Sequence, residues 1–279
     1  MARHIQAVLV LALAAGILMG GDSSNAAGAF DLNFKDTDHL LKSHVQILKP
    51  GVTRFNYSAV KNSKSLSDLV ASFSSVDEKE FSSWSKNDQL AFLINAYNVF
   101  TIKLIIDHYP IITIKDAPSG GGVFGIGGSP WKREFFELLG ESRSLDWIEH
   151  DMIRKRFSEP RIHFAVNCAS IGCPALAPEA YVGSKLEKQL SAAEAGFLSD
   201  SERNRYDAKS ATARVSKIFD WYRGDFEKKS GSLEAYLRGR ISGLGESSNS
   251  GTDSGAGGDE LNIDFLDYNW SLNDQSSNK

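Results

Sequence analysis

Between Asp88 and Tyr109 the chain carries apolar side chains at Leu90, Phe92, Leu93, Ile94, Tyr97, Val99, Phe100, Ile102, Leu104 and Ile105. On a helix of 3.6 residues per turn these cover almost every face, so the segment must be buried all round. A buried central helix 88–109 is therefore the first constraint on the fold: other elements have to wrap it. Pro110 ends it, because proline has no amide hydrogen to continue the ladder. Asn95, Asn98 and Thr101 form a polar line on this apolar rod, and buried polar groups need partners. Two readings stay open. The amides tie down neighbouring backbone, or one of them orients a histidine or donates to a developing oxyanion.

The other elements are shorter. Leu40, Leu41, Val45 and Leu48 predict a helix within Phe34–Leu48, and Leu66 to Phe73 predicts another. Ser144 caps a helix from Leu145 to Phe157. Ile162, Phe164, Val166 and Cys168 alternate with polar residues and read as a strand. Three amphipathic helices follow. They are marked by Leu186–Phe197, by Val215, Ile218, Phe219, Tyr222 and Phe226, and by Leu233–Leu237; residues 261–272 return to the core as a strand. The fold class is α+β: a predominantly helical single domain, 34–273, with a small β-sheet around the central helix. Two stretches interrupt it. Gly120–Gly128 is a loop, since Ser129-Pro130-Trp131 follows where a phosphate-binding loop needs Gly-Lys-Ser/Thr. Residues 242–260, rich in Ser and Gly, read as a disordered insertion.

The N-terminus predicts the compartment. Arg3 is followed by an apolar, uncharged run from Ile5 to Gly20 and then by small residues, so 1–26 reads as a signal peptide. The run is short for an anchor. The expectation is a periplasmic or secreted protein with no membrane span after cleavage. A net charge of −4 with scattered basic residues gives no reason to expect a nucleic-acid partner. No cofactor is implied, and no other partner can be named.

The only two cysteines, Cys168 and Cys173, lie five residues apart at the end of the expected strand. A disulfide across so short a ring adds about 2 kcal/mol, and Gly172 lets the turn tighten. Alternatively Cys168 is a nucleophile served by a histidine and an amide or carboxylate. A metal site with His163 would need a fourth ligand at an unusual spacing. On the 145–157 helix, Glu149 falls inside the apolar stripe and requires a partner, and His150 flanks the same face. Strand alternation sets His163 opposite Cys168, which makes His150 the candidate base. Glu149, Asn95 or Asn98 would orient it, and Ser170 or nearby N–H groups would support an oxyanion.

The segments Leu93-Ile94-Asn95-Ala96-Tyr97-Asn98, Leu145-Asp146-Trp147-Ile148-Glu149-His150 and Arg161–Pro174 occur in an order that resembles the domain of unknown function 547 family. Ile218–Tyr222 with Asp225-Phe226, and Leu266–Asn273, are similar to its C-terminal hallmarks, so the resemblance runs over about 40–273. It implies roles for Asn95, Tyr97, Asn98, Glu149 and His150. It also implies cysteine at position 168, whereas position 173 admits serine. Two functions remain: a thiol-dependent hydrolase or acyl transferase, or a non-catalytic binding domain stapled by Cys168–Cys173.

Overall fold

A computed structural model describes residues 29–120, 128–245 and 261–278. The expected signal peptide, the centre of the Gly-rich loop and most of the 242–260 insertion lie outside the described residues. The central helix is present as α5, Lys86–His108, with sixteen buried residues from Gln89 to Ile105. Ser85 caps it by accepting the Asp88 amide hydrogen. It is long and apolar enough to cross a membrane, yet it is buried inside the fold, which is how a core helix passes the same test. Phe100 stacks face to face on Phe136 with ring centroids 3.8 Å apart.

α1 (Lys35–His44), α2 (Tyr57–Val60), α3 (Lys64–Ser74) and α4 (Glu78–Ser83) share one buried cluster with α5. The helix expected over Phe34–Leu48 ends at His44. Val45–Lys49 is instead strand β1, paired antiparallel with β2, Val52–Phe55. The reason is the turn at Pro50-Gly51. Gly51 has φ +72° and its Cα packs 3.2 Å from where a Cβ would stand on Gly196, a conformation and an approach that suit glycine alone. β3 (Phe136–Leu138) and β4 (Glu141–Arg143) make a second small hairpin.

The expected helix 145–157 forms, but with a wide register. Trp147–Ile153 is a π-helical turn that continues into α6, Arg154–Arg156. Such turns are rare and favour functional positions. The expected strand over Ile162–Cys168 does not form. Pro160–Phe164 is a 3-10 helix, opened by Pro160 and capped by Glu159, whose carboxylate accepts the Arg161 amide hydrogen. The small sheet of the fold lies elsewhere: β5 (Arg205–Asp207), β6 (Thr212–Val215) and β7 (Asn262–Phe265), with β7 parallel to β6.

α7, Leu186–Leu198, matches its expected span. The next expected helix is split. Val215 ends β6, and Tyr222 leaves helical geometry between α8 (Ile218–Trp221) and α9 (Arg223–Ser230). α10 is Leu233–Leu237. Of the C-terminal stretch, Asn262–Phe265 is the expected strand; beyond it the chain crosses the cysteine turn instead of extending the sheet.

The buried side chains form two clusters, one around α5 and one beneath β6, α8, α9 and α10. The 3-10 helix stitches them together. Ile162 and Ala165 belong to the first cluster and Phe164 to the second. His163, between them, is pinned at the seam.

Candidate functional site

The seam opens into a cavity of about 260 Å³. The π-helical turn contributes Glu149 and His150, the 3-10 helix contributes His163, and the cysteine turn contributes Cys168 and Cys173. Trp131, Trp221, Tyr268 and Trp270 make an aromatic wall. Tyr268 and Trp270 pack with centroids 4.5 Å apart, and the Lys115 ammonium sits 3.6 Å from the Trp270 ring centroid.

Glu149 is the buried carboxylate that the sequence wheel predicts, 5 % exposed. Its Oε1 stands 3.8 Å from His163 Nδ1. The Tyr97 and Tyr222 hydroxyls lie beside it; burial first, and the Glu149 charge second, push both phenols well above their ordinary range. They therefore remain neutral around the carboxylate. His163 is also buried, stacked on Tyr222 with centroids 3.8 Å apart. Its Nε2 is 2.8 Å from Asp225 Oδ2, while Nδ1 has no hydrogen-bond partner. Arg154 donates to the same Asp225 oxygen through Nε at 2.6 Å and to the other, Oδ1, through Nη2 at 3.2 Å. Burial would push the Asp225 carboxyl up, but the hydrogen bonds from His163 and Arg154 hold it far below the usual carboxylate range.

His163 corrects the strand argument. Because 160–164 is a 3-10 helix, alternation does not apply, and His163 faces the same cavity as Cys168. His150 also lines the cavity, with Nδ1 engaged by Arg154 and Nε2 beyond hydrogen-bond reach of Asp146. Nδ1 is 3.1 Å from Arg154 Nη1 and Nε2 is 3.7 Å from Asp146 Oδ1. Cys168 is hydrogen-bonded to neither histidine. Its sulfur lies at bonding distance from that of Cys173, as a disulfide with Cα atoms 6.3 Å apart, and 3.2 Å from the Tyr268 hydroxyl. Among the described residues, no three His, Cys, Asp or Glu side chains are grouped to hold a metal ion.

The central-helix amides do not orient a histidine. Asn95 exchanges two hydrogen bonds with the Tyr181 backbone, at 2.7 and 3.0 Å. Asn98 donates to the Ala165 carbonyl at 3.0 Å and accepts the Asn167 amide hydrogen at 2.8 Å. Asn98 thereby sets the backbone from which the cysteine turn starts. Ser170 does not reach the cavity: it is buried, with Oγ 3.6 Å from Cys168 Sγ. Nor do the neighbouring N–H groups make an oxyanion hole. Those of Cys168, Ala169, Ile171, Gly172 and Cys173 are all engaged.

A residue passed over in the sequence holds this turn. Asn167, 4 % exposed, donates to the Pro174 carbonyl at 2.7 Å and accepts from the Ala169 amide at 2.9 Å and from Asn273 Nδ2 at 3.2 Å. Ala169 consequently adopts φ +61°, a conformation alanine rarely takes without such support. The chain at 269–273 caps the turn. Gly172 and Ile171 donate to the Asn269 and Ser271 carbonyls, and Asn273 N donates to Ala169 O. A Cβ on Gly172 would stand 3.0 Å from Asn269 backbone, so glycine permits this approach.

Residues 81–198 match the family described as "Protein of unknown function, DUF547". The resemblance thus rests on a narrower span than the ordered motifs imply, and it includes both cysteines, Glu149, His150 and His163. The remaining cavity residues, from Ile218 to Trp270, lie beyond it. No curated protein and no solved structure matches the chain.

His163 carries a pH signature. Its pKa falls below the ordinary 6.5, chiefly through burial, despite the opposing pull of Asp225 and Glu149. Between the depressed folded value and 6.5, the unfolded chain binds more protons, so stability is present above pH 6.5 and is lost as pH falls. His44, also lowered by burial, acts in the same direction. Thermal melts of the wild type are expected to fall from pH 7 toward pH 5, and His163→Gln to flatten part of that slope. An unchanged slope in the variant would show that His163 titrates as it does in the unfolded chain.

Proposed function

We propose that this chain is an exported ligand-binding domain, with the Cys168–Cys173 disulfide as a staple that shapes its cavity. One observation carries the reading. Cys168 is joined to Cys173, not to a histidine, at the mouth of a cavity whose floor is a buried carboxylate and whose wall is aromatic. Buried ionisable groups in a concave apolar site are the usual mark of a binding or catalytic centre. Flat indole and phenol faces pack against the apolar face of a ring, and Glu149 and Asp146 accept hydrogen bonds from hydroxyl or amide donors. A saccharide, including the amino sugars of cell-wall polymers, has that combination.

The test is a titration of the oxidised protein with oligosaccharides and cell-wall fragments, followed by tryptophan fluorescence. A saturable change, weakened about tenfold or more by Glu149→Gln or Trp270→Ala, is expected. The absence of any saturable change across those ligands counts against the reading.

A second reading draws on the partial exposure of Cys168 in the same cavity as His150. After reduction by an external dithiol, Cys168 would attack an acyl carbon and His150 would take the thiol proton and pass it to the leaving group. This predicts a reactive thiol of low pKa in freshly isolated protein and turnover abolished by Cys168→Ala. Quantitative oxidation that resists mild reductant favours the staple.

A further inference from the structure

On the other side of the cysteine turn lies a second cavity of about 200 Å³. Arg54, Arg203, Ser216 and the backbone around Gly172 and Asn269 line it. Its two arginines differ in a way the fold alone does not explain. Arg203 is fully committed: Nε donates to Asp200 at 2.6 Å, and its two terminal nitrogens donate to the Cys173 and Gly51 carbonyls. Asp200 is in turn paired with Lys49 at 3.0 Å. That cluster is internally neutralised.

Arg54 has no such partner. It sits on β2, in a run of three consecutive buried residues, Thr53, Arg54 and Phe55, and is only 9 % exposed. Its Nη1 donates to the Thr53 carbonyl at 3.1 Å. Its Nε is buried with no hydrogen-bond partner, and among the described residues no carboxylate pairs with it. Burial alone pulls its pKa below the ordinary value, with no acidic neighbour acting against that. A buried, unpaired guanidinium is a standing penalty, since leaving one partner of a buried pair alone costs several kcal/mol. An apolar side chain of equal length would relieve it.

We infer that Arg54 is the seat of an anionic ligand, and that the ligand is a small molecule bearing a single carboxylate. The terminal nitrogens of the guanidinium match a carboxylate in parallel hydrogen bonds, which answers the unpaired charge. The rim selects the charge. Of the carboxylates at the cavity, Asp200 is paired with Arg203 and Glu202 with Lys49, which leaves Asp267, exposed at the edge, to oppose a dianion such as phosphate more than a monoanion. The seat abuts the disulfide turn through Gly172 and Tyr268, and Tyr268 also walls the aromatic cavity. The inference does not depend on what that cavity binds.

Thermal melts of the full chain at fixed ionic strength test it, with acetate and propionate as probes and inorganic phosphate as the comparison. Wild-type protein is expected to show a saturable rise in Tm with either carboxylate, at least about tenfold more sensitive than with phosphate. Arg54→Met is expected to lose that response and, without anion, to melt about 2–4 °C higher than wild type. Arg54→Lys, which keeps the charge but not the fork, should retain a weaker response. A lower Tm for Arg54→Met without anion would show a structural role and overturn the inference. So would a carboxylate response that survives in Arg54→Met, the absence of a saturable response, or a stronger response to phosphate.

Discussion

Asn167→Ala is expected to destabilise the protein by about 3–5 kcal/mol, far more than the loss of a few side-chain atoms suggests. The side chain is buried and joins three places: the Pro174 carbonyl, the Ala169 amide and the Asn273 side chain. Alanine leaves each of those groups buried without its partner, at about 1–3 kcal/mol apiece before relaxation. It also withdraws the support for the left-handed backbone of Ala169, a further strain of about 1–3 kcal/mol if the turn keeps its shape. The turn is therefore expected to open instead, uncoupling the cysteines from residues 269–273. Urea unfolding gives the stability, and hydrogen exchange at Ala169 and Gly172 reports the local opening. Asp in place of Asn167 keeps the acceptor but sets a buried, unpaired carboxylate oxygen against the Pro174 carbonyl, so it should be no milder than alanine. Alanine within about 1 kcal/mol of wild type would mean that the network is dispensable.

Cys173→Ser is expected to cost about 2 kcal/mol under oxidising conditions, from the loss of a short closed loop. Two features shape the result. Serine keeps an acceptor for the Cys168 amide, which now donates to Cys173 Sγ at 2.9 Å. It also frees one thiol at the cavity mouth, beside the Tyr268 hydroxyl. Denaturant melts with and without reductant separate the contributions. Reduced wild type and oxidised variant should coincide within about 0.5 kcal/mol, because both lack only the cross-link. A variant as stable as oxidised wild type would remove the staple from the binding reading. An accompanying thiol reactivity well above that of an ordinary cysteine would move the weight to the nucleophile.

What could be read in the sequence followed from how many neighbours each conclusion needed. Helix 88–109 was legible because all-round apolarity has one solution, burial on every face. Glu149 was legible for the same local reason: a carboxylate inside an apolar stripe has to be buried and accompanied. Its companions were not. Tyr222 and Asp225 come from a segment about 70 residues away, and no periodicity of the π-helical turn points to them. The pattern of Ile162, Phe164 and Val166 misled, since alternate apolar residues serve a 3-10 helix wedged between two apolar clusters as well as a strand. Pro160 after an acidic cap was the signal for the shorter reading. Asn95 and Asn98 show the limit from the other side. That they need partners follows from burial, but whether those partners are backbone or histidine depends on the path of residues 165–181.

The crossing of residues 269–273 over the cysteine turn bears on the order in which the molecule is assembled. Asn273 follows Asn167 by 106 positions. During synthesis both thiols emerge while the strand of chain that will cover them has yet to be made. The cross-link can thus form on an open surface, before Tyr268 and Trp270 arrive to wall it in. The C-terminal crossing then acts as a latch that closes on a turn already fixed. Cutting the chain between Phe265 and Asn269 would release that latch without touching either cysteine.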